Sequence, residues 1–469
     1  MTEPGPSAAP APAARPEEAD RLRELLRTPA YRRTLALCAV IGVPVSLAAF
    51  WFLAGLHELE HALWSALPGA LGWRPPPWWW PLPLLAVAGV AVGLVVRRLP
   101  GAGGHVPAAG LQASGSAADI LPGVILAAAA SLPFGAVLGP EAPLVALGGG
   151  LALLLRRLAR GPASATSGAL LGAAGAAAAL SAIFGNALVG AVLLVEVAGA
   201  GGAQLFAVML PALLSSGIGS LVFTGFGRWT GLSTGSLALK PGVPVPRLDA
   251  ADVLWGLPTA VCVAAALHLL LRSGRLVAVF VSGRRPVART TLCALAAGLC
   301  AAAYALATGR SPHDVASSGQ AVLAQLAAAP HTWATGALAA VLLCKAAAYT
   351  LCLGSLRGGP VFPALFLGAA AGVLLAPLPG LGIVPGLAAG LAAAAAAVLR
   401  LPVSGALLAA LLLGGAALIP LVVLCAVAGF VTVGLLPAGR AVPPVTEPGA
   451  NPTAEQRGTT ASTDRRHRR

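Results

Sequence analysis

From about residue 34 to residue 437 the chain alternates apolar blocks of near-spanning length with short breaks rich in Gly and Pro. The blocks fall at about 34–55, 82–96, 119–135, 141–155, 167–198, 204–224, 251–271, 288–307, 333–353, 360–376, 384–399 and 402–437. Many are too short, or too broken, to cross a hydrocarbon core of roughly 30 Å. Backbone that ends at membrane depth must be buried in protein or line a polar cavity. The pattern predicts an all-α membrane protein built from many tilted and broken helices, and 40 Pro and 58 Gly fit that prediction.

Composition excludes an ordinary soluble domain, since 57% of the 469 residues are hydrophobic, 10% are charged and the mean hydropathy is +0.85. Residues 1–30 and 438–469 are expected to be disordered cytoplasmic tails around a membrane domain at 31–437. No short apolar stretch with a small-residue cleavage site opens the chain, so the first span is expected to act as the insertion signal. The net charge of +14 comes from Arg in the tails and short loops, at 21–33, 97–98, 156–160, 272–289 and 465–469. No polar face with interleaved aromatics accompanies them, which argues against a nucleic-acid partner. The positive-inside rule instead places these clusters and both termini in the cytoplasm of a multi-pass protein of the cell membrane, with lipid as its surroundings. The stretch GWRPPPWWWP (72–81) then belongs at the opposite interface, where Trp is favoured. Seven Cys without a CxxC pair read as small buried apolar side chains, and no cofactor or metal is expected.

An internal repeat sharpens the organisation. GPEAPLVALG (139–148) and GPVFPALFLG (359–368) share Gly-Pro-x-x-Pro-x-x-x-Leu-Gly at an offset of 359 − 139 = 220. NALVGAVLL (186–194) matches LPVSGALLA (401–409) about Gly190 and Gly405, an offset of 215. Two related halves, about 31–240 and 250–437, are expected to form an inverted repeat. Paired broken segments in corresponding halves point to a midplane binding site.

Gly followed by Pro suits a helix start, because Pro lacks an N–H that would be orphaned there and Gly permits the sharp turn. Inside a membrane such an end offers free N–H groups and about half a positive charge to an anion. A third start is expected in PGAGGHVPAAGL (100–111). Helix dipoles hold an anion weakly enough for it to leave, as conduction requires.

Taken together, GPEAP with LVALGGG, GGPVFP (358–363), GGHVP (103–107) and CKAAAYTLCLGSLRGG (344–359) resemble the CLC family of chloride channels and chloride/proton exchangers. The resemblance covers about residues 34–437. It implies a homodimer, with a pore for chloride or a similar small anion in each subunit; the family's C-terminal regulatory domains are not expected, since only about thirty tail residues follow the last span. It makes Glu141 the gating glutamate, whose ionised carboxylate occupies an anion site and swings away when protonated or displaced. The alternative for Glu141 is a fixed helix cap. Anion contacts are implied for Gly103, Gly104, His105, Ala142, Val361 and Phe362.

Several departures bear on mechanism. Gly104 stands where the family has a pore Ser, the only tyrosines are Tyr31, Tyr304 and Tyr349, and Pro140 and Pro360 each remove a backbone donor. Poor discrimination among chloride, bromide and nitrate is therefore expected. Glu196 aligns with the first of two consecutive glutamates of exchangers, and Val197 with the second, the inner proton acceptor. Glu196 is a proton-path candidate on that alignment, but a helix-end residue at the cytoplasmic interface is the preferred reading. Passive or weakly proton-coupled permeation is thus favoured over a chloride/proton antiporter.

HELEH (57–61) matches the HExxH zinc motif literally. No segment supplies a third ligand, Asp249 being a weak substitute, so an intramembrane protease is disfavoured and a solvated helix end preferred. For Lys345, inside an apolar block, a pore or ion-pair role and snorkelling to the interface both stand. SPHDVAS (311–317) reads as a loop N-cap.

Overall fold

The computed structural model describes residues 20, 23–110, 118–159, 165–199, 203–232, 234, 239, 242, 247–437 and 439. Its first half contains α1 (Pro29–His61), α2 (Pro81–Arg98), α3 (Leu121–Ser131), α4 (Glu141–Leu158), α5 (Ala165–Phe184), α6 (Ala187–Ala198) and α7 (Ala203–Thr230). The second contains α8 (Ala250–Val281), α9 (Pro286–Thr308), α10 (Gln320–Ala328), α11 (Thr335–Ser355), α12 (Val361–Leu375), α13 (Ile383–Leu399), α14 (Pro402–Leu413) and α15 (Ile419–Leu435). No strand occurs among the described residues, apart from one isolated bridge. Among the described residues eight helices are long and apolar enough to cross a membrane, and five shorter apolar ones accompany them.

Local chemistry sets the boundaries. Pro occupies the first turn of α1, α2, α9, α14 and α15, where its missing N–H costs nothing. Asp249 opens α8 with a capping box, accepting from Ala251 N at 2.8 Å and Asp252 N at 3.1 Å, while Asp252 accepts from Asp249 N. Two apolar blocks that the pattern merged are each a helix pair. Block 167–198 divides at Gly185 (φ 65°), after which Asn186 caps α6, and block 402–437 divides at Gly414 (φ 65°). A left-handed glycine ends a helix whatever the hydropathy on either side.

The two halves pack alike. In the first, α4 lies on α5, α5 on α7, and α1 on both α5 and α7; in the second, α12 lies on α13, α13 on α15, and α8 on both α13 and α15. Even single crossings repeat. A Cβ on Gly148 would stand 2.4 Å from the Gly175 carbonyl, and one on Gly368 would stand 2.3 Å from that of Gly390. Those pairs are related by 368 − 148 = 220 and 390 − 175 = 215, the offsets found in the sequence. Small residues let backbones approach where lipid offers no hydrophobic drive for helix association. The Ala-rich α13 is therefore buried from Val384 to Leu399, and 83% of Ser167–Phe184 in α5 is buried against 28–50% of the most apolar stretches of the other spans.

Contacts between the halves join corresponding elements, with α2 on α9 and α6 on α14. The bridge pairs Gly139 with Gly359, the same position of the two repeats, each N–H bonding the other's carbonyl at 2.8 and 2.5 Å. Reciprocal contact between equivalent positions is what a local two-fold axis produces.

Most of both expected tails lies outside the described residues. Residues 23–27 are helical rather than irregular, and Thr28 closes that turn onto Glu24 O. Of the seven Cys, Cys262 is exposed, so burial does not hold for all of them.

Candidate functional site

Glu141 is the first residue of α4 and is completely buried. The Gly139–Gly359 bridge holds the starts of α4 and α12 against each other, so the Glu141 side chain reaches across to the opposite half. Its Oε1 accepts from Val361 N at 2.6 Å and Phe362 N at 3.0 Å, the first two residues of α12. Its Oε2 is buried and has no hydrogen-bond partner among the described residues. The carboxylate thus occupies the position at which the orphan N–H groups and the positive end of α12 would hold an anion.

Only glycine leaves room for it. A Cβ on Gly139 would stand 2.0 Å from Glu141 Oε2, and one on Gly359 would stand 2.4 Å from Glu141 Cδ. Tyr349 on α11 fixes the start of α12 from behind, its hydroxyl donating to Pro360 O at 2.7 Å. The ring of Phe184 stands 5.6 Å from that of Phe362. Ala142, another expected contact, is half-buried in the first turn of α4, while the carboxylate beside it bonds to α12.

The third expected helix start differs from prediction. After Pro107 comes a single 3-10 turn, Pro107–Ala109, closed by Gly110 at φ 94°, so no helix N-terminus forms there. Gly103 and Gly104 lie in a left-handed loop, with φ of 72° and 91°. The N–H of Gly104 is spent on Gly101 O at 2.8 Å, and His105 Nε2 lies 2.6 Å from Gly110 O. A cation overlooked in the sequence stands against this loop. Arg357 is 6% exposed, and donates from Nε to Ala102 O at 3.3 Å and from Nη1 to Leu356 O at 3.2 Å. Its carbonyl accepts from the Ser131 hydroxyl. The signal was present, because Lys345 and Arg357 are the only charges in 333–376.

Lys345 does not snorkel. It is fully buried, with Nζ bonded to the carbonyls of Asp314, Val315, Ala316 and Ser317 at 2.8–3.3 Å and lying 5.0 Å from the centre of the Phe366 ring. Its charge secures the loop that includes SPHDVAS, in which Ser311 does cap the turn by accepting from His313 N. Asp314 itself is held by Tyr304 and Arg310, each at 3.0 Å.

Glu196, near the end of α6, caps α14. Its oxygens accept from Val403 N at 2.9 Å, Ser404 N at 2.7 Å and the Ser404 hydroxyl at 2.6 Å. Val197 is exposed.

HELEH ends α1 at the mouth of a cavity of about 240 Å³ lined by His57, Glu60, His61, Trp64, His313 and Gln320 among others. A smaller cavity of about 50 Å³ shares His57, Glu60 and Gln320 and reaches Pro140, next to the buried carboxylate. Glu60 faces His313 at 3.1 Å, whereas Glu58, the base of an HExxH motif, is exposed. Among the described residues no three His, Cys, Asp or Glu are grouped to hold a metal. The aromatic segment packs at this same end, where Trp80 Nε1 donates to Leu63 O at 3.0 Å.

A family profile described as voltage-gated chloride channel matches residues 87–433. The chain belongs to this family. Its function is accordingly anion transport of the CLC type. A candidate ion-transport protein, YfeO of Escherichia coli O1:K1, is 27% identical over 346 residues, which cover 73% of this chain and 78% of that one. The YfeO of Escherichia fergusonii is 26% identical over 354 residues. Among solved structures, a slow cyanobacterial Cl⁻/H⁺ antiporter superposes with a TM-score of 0.69 at 18% identity, covering 86% of this chain and 94% of that one. A CLC-type fluoride/proton antiporter gives 0.65 at 21% identity, with coverages of 86% and 95%. At these identities the two structures establish the fold alone.

Proposed function

We propose that this CLC-family protein conducts chloride or a similar small anion passively, or with weak proton coupling, through a pore gated by Glu141. The observation that carries this reading is the Glu141 carboxylate on the N–H groups of Val361 and Phe362, with Oε2 buried and unpaired. A carboxylate inside a membrane costs about 2.5–3.5 kcal/mol on insertion scales. A pure cap would not leave one oxygen unsatisfied at that depth. Protonation removes the charge that α12 attracts, and a permeating anion competes for the same donors.

The remaining elements of the reading are supported by the apolar blocks, by the positive-inside rule and by the likeness to the CLC family. The membrane domain spans about 31–437 in two halves divided near 240–250. The aromatic end with its cavities faces outward and the Arg clusters face the cytoplasm, with both termini there. Two copies assemble in the cell membrane, each with its own pore.

Weak coupling is supported by Glu196, whose two oxygens are both engaged in capping α14, and by apolar Val197 beside it. Anion/proton exchange is the second reading, favoured by the two superposed structures, which are both anion/proton antiporters. Anion efflux from vesicles containing the purified protein tests the gate. Glu141→Gln and Glu141→Ala should raise the flux or abolish its pH dependence, and an unchanged profile in both would falsify the assignment. Uphill proton uptake driven by an anion gradient, lost in Glu196→Gln, would establish exchange instead.

A further inference from the structure

Among the described residues Lys345 and Arg357 are both buried, and their surroundings differ. Lys345 has three N–H donors and four carbonyls around them, so its charge is enclosed. Arg357 has five donors. Its side-chain bonds to the described residues are the two to Ala102 O and Leu356 O. No carboxylate pairs with it among the described residues. A guanidinium buried in protein without a counter-charge is costly, and an anion is the partner that would offset it.

Its placement fits that role. Arg357 lies two residues before Gly359 of the bridge and four before Val361, which binds Glu141, so the chain keeps it within about 14 Å of the gate. Its stem lines the loop of Gly103 and Gly104, a Cβ on Gly103 falling 3.6 Å from Arg357 Cγ. That loop follows Arg97 and Arg98 at the end of α2, whereas the His57 cavities approach Pro140 from the aromatic end. The loop supplies little else. Gly104 has no side chain, its N–H is already bonded, and the His105 ring is tied to Gly110 O.

We propose that Arg357 is the side-chain ligand of the transported anion on the Arg97–Arg98 side of Glu141, and that it makes the pore favour planar oxyanions over halides. A guanidinium offers two parallel N–H bonds matched to two oxygens of one planar anion, which a spherical halide cannot fully use. The expected lack of discrimination rested on missing hydroxyls and left this donor out of account. The inference depends on the pore reading given above.

The full-length protein in vesicles, loaded in turn with chloride, nitrate and formate, provides the test. Nitrate and formate should leave several-fold faster than chloride. Arg357→Lys, which keeps the charge but not the fork, should retain chloride flux and lose the preference. Arg357→Gln should reduce all three fluxes about tenfold, equivalent to about 1.4 kcal/mol. A wild-type protein without oxyanion preference, or an Arg357→Lys variant that keeps it, overturns the proposal. Should Arg357→Gln fail to fold, the Lys ratio decides, since a merely structural clamp would lower every flux alike. Glu141→Ala, run in parallel, judges the gate separately: an unchanged pH profile there removes the gate, while the nitrate-to-chloride ratio still judges Arg357.

Discussion

Glu141 and Glu196 make nearly the same local contact in different surroundings. Each is a carboxylate from the first half, and each accepts from two successive backbone N–H groups at the start of a second-half helix: Val361 and Phe362 for α12, Val403 and Ser404 for α14. Glu196 has both oxygens engaged, gains the Ser404 hydroxyl and remains partly exposed. Glu141 engages one oxygen, is wholly buried and is wedged between two glycines. A helix N-terminus attracts any anion. Whether its carboxylate is a fixed cap or a displaceable gate depends on the second oxygen and on the space around it.

That contrast predicts its largest effect at Gly359. In Gly359→Ala the new methyl would displace Glu141 from two charge-assisted bonds worth about 1.5–3 kcal/mol each. Flux should lose its pH dependence as in Glu141→Ala, and the double variant should add nothing further. Additive effects in that cycle would separate the glycine from the gate and break the comparison. An intermediate effect is expected at Glu196. Glu196→Ala removes the cap of α14 and should lower stability by about 0.5–2 kcal/mol, seen as earlier thermal unfolding, with the pH response of flux retained. A lost pH response there would make the two carboxylates functionally alike. The smallest effect belongs to Tyr349→Phe, which deletes the bond to Pro360 O. It should cost about 0.5–1.5 kcal/mol and shift the flux profile less than Gly359→Ala does. A larger shift would place Tyr349 within the gate rather than behind it.

Apolar blocks, Gly-Pro starts and the offsets 220 and 215 are properties of residue order, so helices, halves and Glu141 were legible in the one-dimensional chain. Block edges were less so, because a left-handed turn at Gly185 or Gly414 leaves no mark in hydropathy. GGHVP matched a helix-start motif, yet Gly110 closes its turn after Ala109, a backbone event that Pro107 does not foretell. Lys345 and Arg357 were visible as lone charges, but their partners are carbonyls, and every residue type carries one.

The sequence by itself determined that the chain is a membrane protein of many broken helices in two related halves, with one carboxylate at a helix start between two prolines. Periodicity and Pro/Gly chemistry act over a few residues and need no partner. Only the tertiary structure decided that Glu141 bonds to α12, 220 residues away. It alone decided that Glu196 is spent on α14, that Lys345 is enclosed and that Arg357 has donors to spare. Such outcomes depend on which backbone groups from distant segments meet, and burial then sets the strength of each contact by removing water as the alternative partner.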